Sequence, residues 1–305
     1  MGKRGWFFRL VVATVFLSTG HAAAQRASFR TGVDLVLLSV TVTGPGGRYV
    51  SDLAAEDFAV VEDGRPQELA YFSPASVPLS VSLLIDTSSS MDEEMPLAQQ
   101  AAKDFVAKLR PGDVAEIVSF DSRVEVLQQL TDDRAELMSA INRLRAGGAT
   151  SLYNAVYIAM RQHGKSQPLN DSDIRRQVII VLSDGEDTSS LVTFEQVLDS
   201  AKRSQTVIYT VGLGLEDALK ATRSTGEYGL RQLALETGGR LFLPKRSLDL
   251  ADVYMQIASE LTSQYVVGYL SSNASTDGAF RRVAVRLQRP NLQARTRAGY
   301  YAPTP

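Results

Sequence analysis

Two stretches of this chain are apolar almost throughout and end on a carboxylate. Leu79–Ile85 (LSVSLLI) runs into Asp86, and Gln177–Leu182 (QVIIVL) runs into Ser183–Asp184. A strand with one wet face alternates, whereas a continuous apolar run belongs to a parallel sheet covered on both faces. The text between and after these runs supplies the covers. Leu97, Ala101, Phe105 and Leu109 fall four apart on one helical stripe. Strands are expected at Val114–Phe120 and Val124–Leu130, and Thr131 is expected to cap a helix through Leu144. Helices follow from about Leu152 to Gln162, Phe194 to Arg203 and Leu230 to Glu236, with a strand at Thr206–Val211. Arg240–Leu243 reads as a short strand, and Ser247 as the cap of a long helix to about Thr262. The expectation is an α/β fold with a doubly wound, mostly parallel sheet of Rossmann type.

In such a sheet, ligands sit beyond the strand C-terminal ends, where the strand order reverses. If the order is 3-2-1-4-5-6, the strands ending at Asp86 and Asp184 are neighbours, and their carboxylates meet across that crevice. Two carboxylates so close repel, and one takes up a proton unless a cation lies between them. Asp86 is followed by Ser88 and Ser90, and a third segment, Gly147–Gly148–Ala149–Thr150, offers a hydroxyl where a helix begins. Carboxylates and hydroxyls are hard oxygen ligands, suited to Mg²⁺, Mn²⁺ or Ca²⁺. Glu186, Asp187 and Thr188 read as a solvated loop and helix start, and Asp92, Glu93 and Glu94 as first-turn residues that favour a helix dipole.

Asp86-x-Ser88-x-Ser90, a Thr after a Gly pair, and Asp184–Gly185 after a later apolar strand together resemble the metal-ion-dependent adhesion site of von Willebrand factor type A domains. The resemblance covers about Leu79 to Leu261. It implies that Ser88, Ser90 and Thr150 touch the ion, that Asp86 and Asp184 hold it directly or through water, and that one position is left for an acidic side chain of a partner protein. It also implies a link between metal contact and the last helix. A narrower likeness, to an exported bacterial family called VWFA-related, spans nearly the whole mature chain. It shows in Glu56–Asp57–Phe58 with Val61–Glu62–Asp63–Gly64, in Leu182–Ser183–Asp184–Gly185–Glu186–Asp187, and in Gly299–Tyr300–Tyr301.

The flanks are strand text. Val33–Val40, Phe58–Glu62 and Leu69–Phe72 precede the α/β region, and Tyr265–Leu270, Arg282–Leu287 and Leu292–Tyr301 follow it. Turns are marked by Gly44–Pro45–Gly46–Gly47, Asp63–Gly64 and Asp277–Gly278. Chain ends that flank a domain tend to lie close together. The expected division is therefore a signal peptide over 1–24, an N-terminal β segment over 25–76, the von Willebrand factor type A-like domain over 77–263, and a C-terminal β segment over 264–305 packed with the first. Tyr265, Tyr269, Tyr300 and Tyr301 read as core or sheet-face aromatics.

The N-terminus carries an address. Lys3 and Arg4, the apolar run Leu10–Leu17 and the small-residue end Ala22–Ala23–Ala24 describe a secretory signal peptide cut after Ala24, for a periplasmic or secreted protein. No later run is long enough to span a bilayer. The net charge of −2, with no long basic run, argues against nucleic acid or an anionic membrane as partner. The chain has no cysteine and two histidines, of which His21 lies in the leader. His163 reads as a surface or helix-end residue, and one histidine without cysteine makes no usual zinc site.

Three functions compete. A binding module would present the ion to a partner's Asp or Glu carboxylate. An envelope scaffold would use the metal only to stabilise loops. A metal-assisted phosphohydrolase would use Asp86 as nucleophile, but Ser88 stands where the second aspartate of the haloacid-dehalogenase-like pattern belongs. A P-loop and a G-x-S-x-G elbow are also missing from the sequence, so no enzyme is expected.

Overall fold

The computed structural model describes residues 35–74, 77–165, 175–184, 186–214 and 225–304. The expected signal peptide over 1–24 and Gly185 lie outside them. Among the described residues, fourteen strands, β1 to β14, and six α-helices, α1 to α6, are numbered in chain order.

The central sheet is built from β5 (Leu79–Asp86), β6 (Val114–Phe120), β7 (Val124–Thr131), β8 (Arg176–Ser183), β9 (Val207–Gly212) and β10 (Leu241–Phe242). Its order is β10-β9-β8-β5-β6-β7, which in its own strand count is 3-2-1-4-5-6. All neighbours are parallel except β6 and β7, which are antiparallel across a short turn. The order reverses between β5 and β8. The sheet is thus doubly wound with one antiparallel edge, as the apolar runs require.

Every residue of β5 is buried, and its side chains alternate between two cores. Val81, Leu83 and Ile85 join the core under α1 (Met95–Lys108), α2 (Arg134–Asn142) and α6 (Leu250–Ser263). Leu84 joins the opposite core under α3 (Leu152–Lys165), α4 (Phe194–Arg203) and α5 (Thr225–Thr237). Each fully buried Leu, Val or Ile contributes about 1.5–3 kcal/mol of transfer free energy. Two cores of this kind fix the register of β5, because a one-residue slip would exchange every side chain between them.

Three local expectations are corrected. The cap of α2 is Asp133, whose carboxylate accepts from the Ala135 and Glu136 amides at 2.8 and 3.3 Å. Thr131 is instead the last residue of β7, paired with Ala115, and α2 ends at Asn142. Ser247 does not cap the last helix: Ser247–Asp249 form a 3₁₀ turn, and α6 begins at Leu250. Asp92 and Glu93 precede the first turn of α1 rather than sit in it, and Glu94 is its N-cap residue.

The flanking strands form two four-stranded sheets. In one, β1 (Leu35–Thr43) lies between β11 (Tyr265–Leu270) and β13 (Gln293–Arg295), with β4 (Leu69–Pro74) on the far side of β11. The other has the order β14 (Gly299–Tyr301), β12 (Phe280–Leu287), β2 (Phe58–Glu62), β3 (Arg65–Gln67). Leu38, Val40, Phe58, Val60, Tyr265, Val267 and Tyr269 share a third apolar core, with Tyr300 packed against it. Among the described residues no helix is long and apolar enough to cross a membrane.

Candidate metal centre

β5 and β8 are adjacent, so their C-terminal ends bring Asp86 and Ser183–Asp184 to one crevice. Asp86 is 0% exposed. One carboxylate oxygen accepts the Ser88 amide at 2.8 Å, and the other accepts the Ser183 hydroxyl at 2.6 Å. The first of these bonds turns the chain sharply out of the strand. The 3₁₀ turn Ser89–Met91 follows, pinned by the buried Met91 side chain. Ser88 and Ser90 are thereby presented side by side, their hydroxyl oxygens 3.0 Å apart, and Ser90 donates to Asp184 Oδ2 at 2.6 Å. Four of the five residues named from the sequence are therefore joined by direct hydrogen bonds.

Thr150, the fifth, is tied in through backbone. The Gly147 amide donates to Thr87 O at 2.7 Å, and both the amide and the hydroxyl of Ser89 donate to Gly148 O at 3.1 Å. Gly148 has φ +83°, and a Cβ there would come within 3.0 Å of Ser122 Oγ, so conformation and close approach both call for glycine. The Thr150 amide donates to Thr188 Oγ1 at 3.0 Å, and its carbonyl accepts the Thr188 and Ser189 amides at 2.9 and 3.0 Å. Hydroxyl-bearing loops after β5 and β8 thus clasp the 147–151 loop from both sides.

Sequence reasoning gave the residues that hold this clasp no part in the site. Asp187 accepts the Tyr153 amide at 3.2 Å and the Ser190 hydroxyl at 2.6 Å, and Ser190 Oγ accepts the Asn154 amide at 3.0 Å. These amides belong to the first turn of α3, which lacks intrahelical partners for them. Glu186 and Thr188 are exposed, as expected of a solvated loop, but no helix starts before Phe194, and Asp187 and Thr188 act as a structural strap. Ser183 was also overlooked, although a hydroxyl closing an otherwise apolar strand was a readable sign.

His163 is corrected as well. It is 2% exposed on α3, and its Nε2 lies 2.6 Å from Ser82 Oγ, which in turn hydrogen-bonds the buried Glu116. Leu152, Ala155, Val156, Ala159, Met160 and His163 form one helical stripe, so the period that buries the apolar residues buries the histidine too.

Burial pushes the Asp86 carboxyl up to about 6, and the charge of Asp184 adds to this against the hydrogen bonds from Ser183 and Ser88. Neither aspartate forms an ion pair among the described residues, so the crevice gathers negative charge with no side-chain cation to balance it. Among those residues no three His, Cys, Asp or Glu side chains cluster. The donors are two carboxylates and neighbouring hydroxyls, a set that fits a hard divalent cation and not a nitrogen- or sulfur-seeking metal.

The sheet order and this crevice define a class of proteins. The sequence model of the von Willebrand factor type A domain matches residues 80–256, more than half of the chain, and the chain belongs to that family. A solved von Willebrand factor type A protein from Catenulispora acidiphila shares the fold with a TM-score of 0.54 at 14% identity, over 91% of this chain and 76% of that one. Calcium-activated chloride channel regulator 1 of Bos taurus is 29% identical over 187 residues, 59% of this chain and 19% of that protein. An uncharacterized protein of Synechocystis sp. is 24% identical over 194 residues, 59% of this chain and 44% of that protein. The chain spans less than half the length of these curated relatives.

Proposed function

We propose that this chain is an exported, periplasmic or secreted binding module that captures a partner protein through a divalent cation, Mg²⁺, Mn²⁺ or Ca²⁺, held at the β5–β8 crevice. The observation that carries the reading is the hydrogen-bonded chain from the buried Asp86 through Ser88 and Ser90 to the half-buried Asp184, two carboxylates with no ion pair among the described residues. Ser88, Ser90 and Thr150 would hold the ion, with Asp86 and Asp184 binding it directly or through water. When bound, it would supply the missing positive charge and one open position for an Asp or Glu carboxylate of the partner. The chain's own residues do the positioning. Asp86 orients Ser88 through its amide, Ser183 fixes the Asp86 rotamer, and Asp184 fixes Ser90. The Asp187–Thr188 strap keeps the 147–151 loop closed, so little order has to be gained on binding.

Calorimetric titration of Mg²⁺ and Mn²⁺ into the chelator-stripped protein tests this. One site is expected in the wild type and none in Ser88→Ala/Ser90→Ala, because two hydroxyl ligands are lost while the Ser88 amide and the Ser183 hydroxyl still hold Asp86. Partner capture should then depend on metal and disappear with chelator. If metal binds but capture ignores the chelator, the ion only stabilises loops and the module reading fails.

A further inference from the structure

A second feature lies at the opposite edge of the sheet. α4 starts beside the metal crevice and runs away from it, and its C-terminal end meets β1 and the C-terminal strand β14 around a cavity of about 340 Å³. Ligand pockets begin at about 300 Å³, and an apolar cavity of about 150 Å³ already admits benzene. One wall is apolar, from Leu35, Leu37 and Pro303. The other carries two guanidiniums, Arg203 and Arg297, and no carboxylate is among the described lining residues.

The two arginines differ. Arg203 has its counter-charge, since it bonds Asp199 at 2.9 Å and lies 3.9 Å over the Tyr301 ring. Arg297 is 9% exposed and forms no ion pair among the described residues. Its Nε donates to Gly299 O and its Nη2 to Lys202 O, both at 2.6 Å, so the group is anchored by two carbonyls, one from the last turn of α4. Burial lowers it only to about 10, so it stays charged at neutral pH. A buried cation without a counter-ion is costly, and an anion in the cavity would offset that cost.

We propose that this cavity binds a small organic carboxylate, with its carboxylate paired to Arg297 and its apolar body against Leu35 and Pro303. A bare inorganic anion would leave most of the volume and the apolar wall unfilled. A polyphosphate would need more than one uncompensated cation. The proposal is independent of the metal site and is tested with the metal removed, so that carboxylate binding cannot be confused between the two.

The experiment titrates the full chain, stripped of metal and dialysed free of chelator, with benzoate, benzamide and inorganic phosphate, read by ligand-observed NMR. Benzoate should bind at one site, and benzamide and phosphate at least roughly tenfold more weakly, as expected for loss of a charge-assisted pair or of apolar contact. Arg297→Met should abolish benzoate binding. If that variant does not fold by circular dichroism, Gln205→Trp decides the matter, because it places a large ring at the exposed lip while leaving Arg297 and its carbonyls intact. Absence of benzoate binding to the wild type, equal binding of benzamide or phosphate, or benzoate binding that survives Gln205→Trp would each overturn the proposal.

Discussion

At the residue scale, the crevice shows how short side chains are made to act together. Asp86 accepts one amide and one hydroxyl, Ser90 reaches Asp184, and none of these groups has more than a few rotatable bonds to restrain. The residues behind them matter as much. Asp187 satisfies the Tyr153 amide in the first turn of α3 and orients Ser190. Asp187→Ala removes that helix-terminal partner, and it should cost about 1 kcal/mol in urea unfolding, in the usual range for a lost cap. On the reading proposed above, the same variant should also weaken Mg²⁺ binding by calorimetry, since the strap beside it holds Thr150. Stability falling with metal affinity unchanged would mean that Thr150 is placed by the Gly147–Gly148 contacts alone.

At the scale of elements, the packing of α3 on β5 and β6 buries a polar row that no surface reading would anticipate. Ser82 donates to Glu116 and takes its second bond from the Nε2–H of a neutral His163, whose Nδ1 is buried without a hydrogen-bond partner among the described residues. Burial holds His163 down at about 4 and raises Glu116. The two act in opposite directions. Below the ordinary histidine value of 6.5 the unfolded chain binds a proton that the folded chain refuses, so stability from His163 is full above 6.5 and is lost as pH falls toward 4. The raised Glu116 favours the folded state as it protonates and so opposes this trend on acidification. Comparing the wild type with His163→Gln isolates the histidine. The stability of the wild type relative to the variant should fall by about 3 kcal/mol between pH 7 and pH 4, from about 2.5 pH units of linkage. A constant difference across that range would show that His163 takes up its proton as readily in the folded protein as in the unfolded chain.

At the scale of the whole molecule, α6 joins the central sheet to the flanking strands. Glu260, buried on α6, accepts from Thr41 of β1 at 3.1 Å, Tyr49 at 3.1 Å and Tyr209 of β9 at 2.5 Å, and it pairs with Arg295 of β13. One carboxylate thus ties the last helix to strands from both ends of the chain, and β11 continues directly from that helix. Glu260→Ala leaves Arg295 and three hydroxyls without their shared partner, and should destabilise the protein by about 3–5 kcal/mol. Scanning calorimetry should show one transition for the wild type and two for the variant, as the third apolar core uncouples from the other two. A single transition that merely moves to lower temperature would mean that the strand pairings hold the molecule together without this hub. The proposed boundaries at 77 and 263 would sever the Glu260 contacts with Thr41, Tyr49 and Arg295, so a 77–263 fragment should be less stable than the full chain by a similar amount.

What the sequence determined alone was the sheet and the ends of its strands. Continuous apolar runs at Leu79–Ile85 and Gln177–Leu182 have one stable use, burial on both faces of a parallel sheet, and their terminal carboxylates then fall at the switch point. Local chemistry was less decisive wherever two neighbouring residues could do one job, as with Thr131 and Asp133 at the start of α2. Only the tertiary structure decided the rest. Asp187 and Thr188 became a strap because α3 ends its first turn against their loop. His163 went inside because the stripe that carries it faces β5. Glu260 and Arg297 took up their places only where segments more than thirty residues apart meet. Such contacts depend on which faces pack together, and periodicity within one segment carries no record of the partner face.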